Sequence, residues 1–164
     1  MTGDLRTVQE PLKQRYRSEP DAARITLRAD GELGAGVSCS VQTGQELVRA
    51  GLHPATGGDG LSACSGDMLL QALVACAGVT LGAVANSLGL NVSGTVHAEG
   101  DLDFRGTLAV DKQAPVGFQN IRLRFDLTTD ADDTQLDTLM RLTERYCVVY
   151  QTLANPPALS VTRA

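Results

Sequence analysis

The chain reads as an α+β domain, because apolar helical segments alternate with segments of period two. Residues 67–88 are apolar on nearly every face of a helix, whereas 120–129 alternate strictly. In that second segment Ile121, Leu123, Phe125 and Leu127 fall on one side, and charged or hydroxyl side chains on the other. A further helical stripe through Leu136, Leu139, Met140, Thr143, Cys147 and Tyr150 completes the pattern. The order is strands, buried helix, strands, helix, strand.

Each element has its own signal. Residues 1–20 lack periodicity and end in Ser18, Glu19 and Pro20, so an N-terminal arm or short helix is expected ahead of one domain over 21–164. A chain of 164 residues with 43% apolar content can build one core and gives no reason to expect two. Residues 23–28 alternate, 29–34 supply turn residues and 36–42 alternate again, which predicts a hairpin with Cys39 in its second strand.

The glycine-rich stretch 51–60 has no Gly-Lys-Ser/Thr ending, and no strand runs directly into its glycines. It is expected to be a shaped loop before a helix. Ser65 is available as that helix's N-cap, and Asp67 sits in the first turn, where a negative charge complements the helix dipole. The helix has the length of a membrane span and a Gly78/Gly82 spacing. Gln71 and Thr80 interrupt it, Ala and Gly dominate it and no basic flank follows, so a central core helix is expected. Small residues at 75, 77, 78, 82 and 83 would let another backbone approach closely, within the subunit or across a dimer.

Beyond residue 90, Val92, Gly94, Val96 and Ala98 alternate with polar residues. Leu102 with Phe104, and Leu108 with Val110, continue that pattern after glycine breaks. One helix is predicted from about Asp133 through Cys147 to the Asn155-Pro156-Pro157 stop, followed by an edge strand at 158–162.

Charge and cysteine usage narrow the function. A net charge of −5 argues against a phosphate-neutralising surface, and the basic cluster Lys13, Arg15, Arg17 is closely followed by acids, so no nucleic-acid partner is expected. The polar N-terminal residues show no secretory pattern, which points to the cytoplasm and to no membrane association. Four cysteines in a reducing compartment would be buried, metal-binding or catalytic. Cys39, Cys64 and His53 lack metal-ligand spacing, so neither metal nor other cofactor is expected.

Cys76 shares its helix face with Leu69, Ala72, Leu73, Val79, Thr80 and Ala83. Apolar burial raises a thiol pKa, so a reactive Cys76 needs an Arg, a His or a helix N-terminus brought from elsewhere in the fold. The residues alone leave open two buried hydrophobes or a redox pair. Cys64, beside a helix start, is either a third redox partner or a space filler.

The segments 64–76 and 145–153 resemble the two cysteine motifs of the OsmC/Ohr family, over most of the chain after residue 20. The resemblance implies an intertwined α+β homodimer with antiparallel sheets around a buried central helix. It further implies reduction of organic hydroperoxides, with Cys76 as the peroxidatic thiol passing through sulfenic acid. Cys147 is then the resolving thiol, and an external thiol or dithiol reduces the disulfide.

The match has departures. The organic hydroperoxide resistance branch has a Glu ten residues before the first cysteine, where this chain has Gly66; Asp67 is one position off. The second motif has Cys147-Val148 where the best-known members have Cys-Pro. The family's activating Arg corresponds to Arg24, Arg28 or Arg49, with Arg28 preferred; His53 is a further candidate, while His97 only packs or faces solvent. Leu69, Leu73, Val79, Tyr146 and Tyr150 are candidates to line an apolar pocket. The missing Glu keeps a second reading open, a non-catalytic dimer that binds a small apolar molecule or senses redox state.

Overall fold

The computed structural model describes residues 18, 31–33, 38–43 and 46–163. The chain divides between Arg49 and Ala50 into two compact units. In the first, β1 (Gly31–Leu33) runs antiparallel to β2 (Ser38–Thr43), with Gly31 opposite Val41 and Leu33 opposite Cys39. The expected turn over 29–34 is therefore partly strand. Its Gly-Glu-Leu stretch carries turn-forming residue types, but backbone pairing to β2 overrides that preference. The predicted partner strand at 23–28, with Arg24 and Arg28, lies outside the described residues.

Strand β3 (Glu46–Gly51), absent from the sequence expectation, ends in the second unit. There Ala50 and Gly51 pair in parallel with β4 (Ala63–Cys64). The glycine-rich stretch between them is a shaped loop, as expected. His53 caps a single 3-10 turn (Pro54–Thr56), and Gly57 and Gly60 hold φ of 91° and 73°, where a side chain would be strained.

The central helix α1 (Ser65–Leu88) starts one residue earlier than a Ser65 cap would place it. Cys64 is the N-cap, in extended conformation and with no side-chain capping bond; its pairing in β4 already sets the entry direction. Gly89 at φ 69° ends the helix, its N–H reaching the carbonyls of Ala85 and Asn86. By length and composition α1 would cross a bilayer, but Leu73, Ala77, Leu81, Val84 and Ala85 are buried against the rest of the unit.

Strands β5 (Val92–Gly100) and β6 (Ile121–Thr129) form an antiparallel pair, from Val92 opposite Thr129 to Gly100 opposite Ile121. β6 alternates half-buried and exposed along its whole length, as its period-two sequence requires. Its wet face carries ion pairs: Arg122 with Glu99 and Asp101, and Arg124 with Asp126 at 2.9 Å. His97 stands on the same face, 3.5 Å from Asp126, so its ring faces solvent and not the core.

The alternation at 102–110 does not form strand. Asp103 accepts the Arg105 N–H and caps a four-residue helix, α2 (Phe104–Thr107); the chain then turns back so that the amides of Val110 and Asp111 bond the Arg105 carbonyl. Local capping wins over a two-residue hydrophobic repeat.

The expected helix from Asp133 to the Asn155 stop is two helices. α3 (Asp133–Tyr146) opens on a reciprocal capping box between Asp132 and Gln135, and α4 (Val148–Ala154) ends before Asn155. Cys147 lies between them with φ −72° and ψ 107°, closing the first and capping the second. Its extended ψ breaks the helical path, although its N–H still reaches the Thr143 carbonyl at 2.9 Å. The final edge strand is also absent: residues 155–163 are irregular, and Leu159 and Val161 are exposed.

Two apolar clusters lie along α1. Leu81, Val84 and Ala85 pack with Leu139, flanked by Phe125, Leu127 and Met140. Nearer the helix start, Leu73 and Ala77 pack with Cys147, flanked by Cys76, Val96, Ile121, Val149 and Tyr150.

Candidate active site

Cys76 projects from the middle of α1 onto the joint between α3 and α4, where it packs against the cluster that holds the buried Cys147. A continuous helix would bond the amides of Val148 and Val149 to carbonyls one turn back; the new helix start leaves them without those partners, and both act to lower the Cys76 pKa. Thr80, one turn further along α1, adds its hydroxyl.

The two thiols are pushed in opposite directions. Burial is the largest influence on Cys76 and raises its pKa, yet the amides of Val149 and Val148, Cys147 and Thr80 together hold it below the ordinary cysteine value. Cys147 is 1% exposed, and burial pushes its pKa up. The amides of Tyr150 and Val149 offset part of that rise, while the neighbouring Cys76 adds to it. Where Cys76 is a thiolate, Cys147 is still a thiol and can donate to it. Cys76 is half-buried and so open to a reactant.

Asp67, His53 and Cys64, also singled out from the sequence, lie in the same unit as the pair. Asp67 is exposed in the first turn of α1, about half a turn round the helix from Cys76, and lines a groove with Gln71, Val74 and Ala98. The His53 ring stacks on Phe104 with centroids 5.2 Å apart, and its Nδ1 accepts the Ala55 N–H at 3.0 Å. Among the described residues, neither contributes a hydrogen bond to the Cys76 thiol. Arg49 is exposed at the end of the first unit, and Arg28 lies outside the described residues. Cys64, half-buried at the head of α1, is next to Gly66, where an added Cβ would stand 3.7 Å from its sulfur.

A cavity of about 510 Å³, lined by neither cysteine, shares part of its wall with the packing around Cys147. Leu73 and Tyr150, two of the pocket candidates, belong both to its wall and to the packing around Cys147; Ile121, Leu123, Phe125 and Leu153 complete that shared wall. Leu69, Val79 and Tyr146 are exposed instead, Val79 at 75%. The sequence reading missed Phe118, Gln119 and Glu144, which also line the cavity. It missed the two amide donors as well. The Cys147-Val148 step, with an N–H where proline would have none, was the available signal for one of them.

Comparison with known proteins bears on the family and the fold. A family model described as OsmC-like protein matches residues 57–162. No curated protein sequence matches the chain. Among solved structures, an OsmC-like protein from Mycoplasma pneumoniae superposes with a TM-score of 0.67 at 14% identity, covering 80% of this chain and 89% of its own. An organic hydroperoxide resistance protein OsmC from Legionella pneumophila gives 0.58 at 15% identity, covering 81% and 92%. The organic hydroperoxide resistance protein OhrB of Bacillus subtilis gives 0.51 at 15% identity, covering 80% and 93%.

Proposed function

The chain belongs to the OsmC-like protein family, and from that premise we propose that it is a thiol-dependent peroxidase that reduces organic hydroperoxides through Cys76 and Cys147. The observation that carries this reading is the contact between a half-buried thiol held below its ordinary pKa and a buried one held above it. That asymmetry supports Cys76 as the peroxidatic thiol and Cys147 as the resolving one.

The Cys76 thiolate attacks the terminal peroxide oxygen, the O–O bond breaks and the alkoxide leaves, taking a proton to become the alcohol. Cys76 is now a sulfenic acid and carries no negative charge, which removes the part of the Cys147 rise that Cys76 caused. Cys147 then attacks the Cys76 sulfur; the S–O bond breaks, water leaves with the Cys147 proton and a disulfide forms. An external dithiol returns both cysteines to thiols and is itself oxidised. The amides of Val148 and Val149 and the Thr80 hydroxyl favour the thiolate over the thiol. Arg28 or His53 would supply a cation to Cys76 in this reading, and Asp67 serves as a helix-start charge.

The reading includes a homodimer in the cytoplasm, formed from an arm over 1–20 and one domain over 21–164. Support for the dimer comes from the apolar face α1 leaves exposed, with Leu69 at 38% and Val79 at 75%. Gly66, in the place of a family Glu, and the cavity beside the thiols favour a second reading, a non-catalytic dimer that binds an apolar small molecule or senses redox state.

Mass spectrometry of the reduced protein after one equivalent of cumene hydroperoxide, with peptide mapping, separates the two. A fast, stoichiometric Cys76–Cys147 disulfide is expected; thiols that persist would overturn the peroxidase and leave the binding reading.

A further inference from the structure

We propose that Phe118 determines which apolar tails the cavity accepts, by closing it at the end remote from the thiols. The inference rests on the reading above, in which the cavity holds the organic part of the hydroperoxide.

Phe118 lies on the segment that leads into β6, and that segment is tied to the end of β5. The Gln119 N–H donates to the Asp101 carbonyl at 2.9 Å, and the Asp101 N–H donates to the Asn120 carbonyl at 3.1 Å. The ring then rests on two bare α-carbons. A Cβ at Gly100 would stand 2.5 Å from Phe118 Cδ1 and 2.6 Å from Cε1, closer than any real side chain tolerates. A Cβ at Gly66 would stand 3.4 Å from Phe118 Cζ, with Cys64 Sγ and Leu102 Cδ1 each at 3.7 Å. Phe118 thus bridges the end of β5 and the first turn of α1, and a long side chain at 66 would compete with it for room.

The place of this bridge relative to the chemistry follows from α1. Gly66 precedes Cys76 by ten residues, about 15 Å of helix rise. Leu73 lines the cavity between those two levels, and Phe118 lines it too. A peroxide group at Cys76 with its tail along α1 would therefore reach Phe118 last. Burial along the cavity's apolar wall of Leu73, Ile121, Leu123 and Phe125, beside the polar Gln119 and Glu144, favours longer tails until the ring stops them, so Phe118 sets a length preference without touching the reacting atoms. The glycine that replaces the family's acid at 66 belongs to the same feature, because it leaves the ring its seat.

The test is binding of straight-chain primary alcohols, from 1-hexanol to 1-dodecanol, to the reduced full-length protein, by displacement of a fluorescent apolar probe. Wild type should gain affinity with chain length up to a limit. Phe118→Ala should move that limit to longer alcohols, with about fourfold tighter binding for each methylene newly accommodated. Gly100→Ala, which displaces the ring without shortening it, should change the same limit; Phe118→Leu replaces Phe118→Ala if the alanine variant does not fold. An unchanged length series in the variants, or alcohols that do not bind wild type, would overturn the inference. Alcohols have no peroxide bond, so either result is independent of whether Cys76 reduces hydroperoxides. That question stays with the disulfide mapping.

Discussion

The two halves of α1 are built for different ends. Around Leu81, Val84 and Ala85 the helix packs against Leu139, which is 0% exposed, in a cluster composed of aliphatic side chains with Phe125 and Leu127 at its edge. Around Leu73 and Ala77 the same helix meets a thiol pair, free amides and a cavity of about 510 Å³. The first half places apolar atoms in contact and contributes stability. The second gives up contacts to leave room, and its polar donors converge on Cys76. Stability and chemistry are thus separable along one helix, and substitutions in the two regions should have different readouts.

The largest effect should come from the thiol half. Cys147→Ser should permit one oxidation of Cys76 to sulfenic acid and abolish steady-state turnover with a dithiol reductant, while the thermal midpoint barely moves. Stopped-flow oxidation followed by multiple-turnover assay checks both; full turnover in the variant would remove the resolving role.

In the other half, Leu139→Ala should cost about 2–5 kcal/mol of stability, the usual range for truncating a fully buried Leu. Denaturant unfolding measures the loss, and the rate of Cys76 oxidation in the folded protein should be near that of wild type. A large fall in that rate would show the two halves to be coupled.

The smallest effect probes the donors. Val148→Pro is compatible with the backbone, because position 148 opens α4 and Cys147 already has the extended conformation that precedes proline. It removes one N–H from the Cys76 sulfur. The Cys76 pKa should rise, so the reaction should slow at pH values below it and match wild type above, where both proteins are thiolates. A rate–pH profile that overlays wild type would exclude the Val148 amide as an activator.

Much of this fold is legible in the residues, and the exceptions share a cause. The strict alternation of Ile121, Leu123, Phe125 and Leu127 specifies β6, and the apolar run at 67–88 specifies α1, because each buries a face that only one geometry provides. Elements defined by partners and not by pattern are harder. β3 is strand through backbone pairing, and Ala158–Thr162 alternates yet stays irregular. The break at Cys147 has no glycine or proline to announce it.

The site divides in the same way. Cys76 and Cys147 were visible as residues, and Thr80 as a neighbour on the same face. The amides of Val148 and Val149 were not, since every residue but proline carries one and only the broken helix turns these two toward sulfur. Phe118 escaped because its position depends on two glycines from distant parts of the chain.

The joint at Cys147 also bears on how the protein should respond to heat. α4 has seven residues, too few for a helix to persist by itself in water. It is held by Val149, Tyr150 and Leu153, which pack onto the cysteine cluster. The amides that lower the Cys76 pKa therefore belong to a segment that can fray while α3, with its capping box and buried Leu139, stays wound. Thiol reactivity is only as durable as that small patch of packing, and warming should dull it before the domain melts.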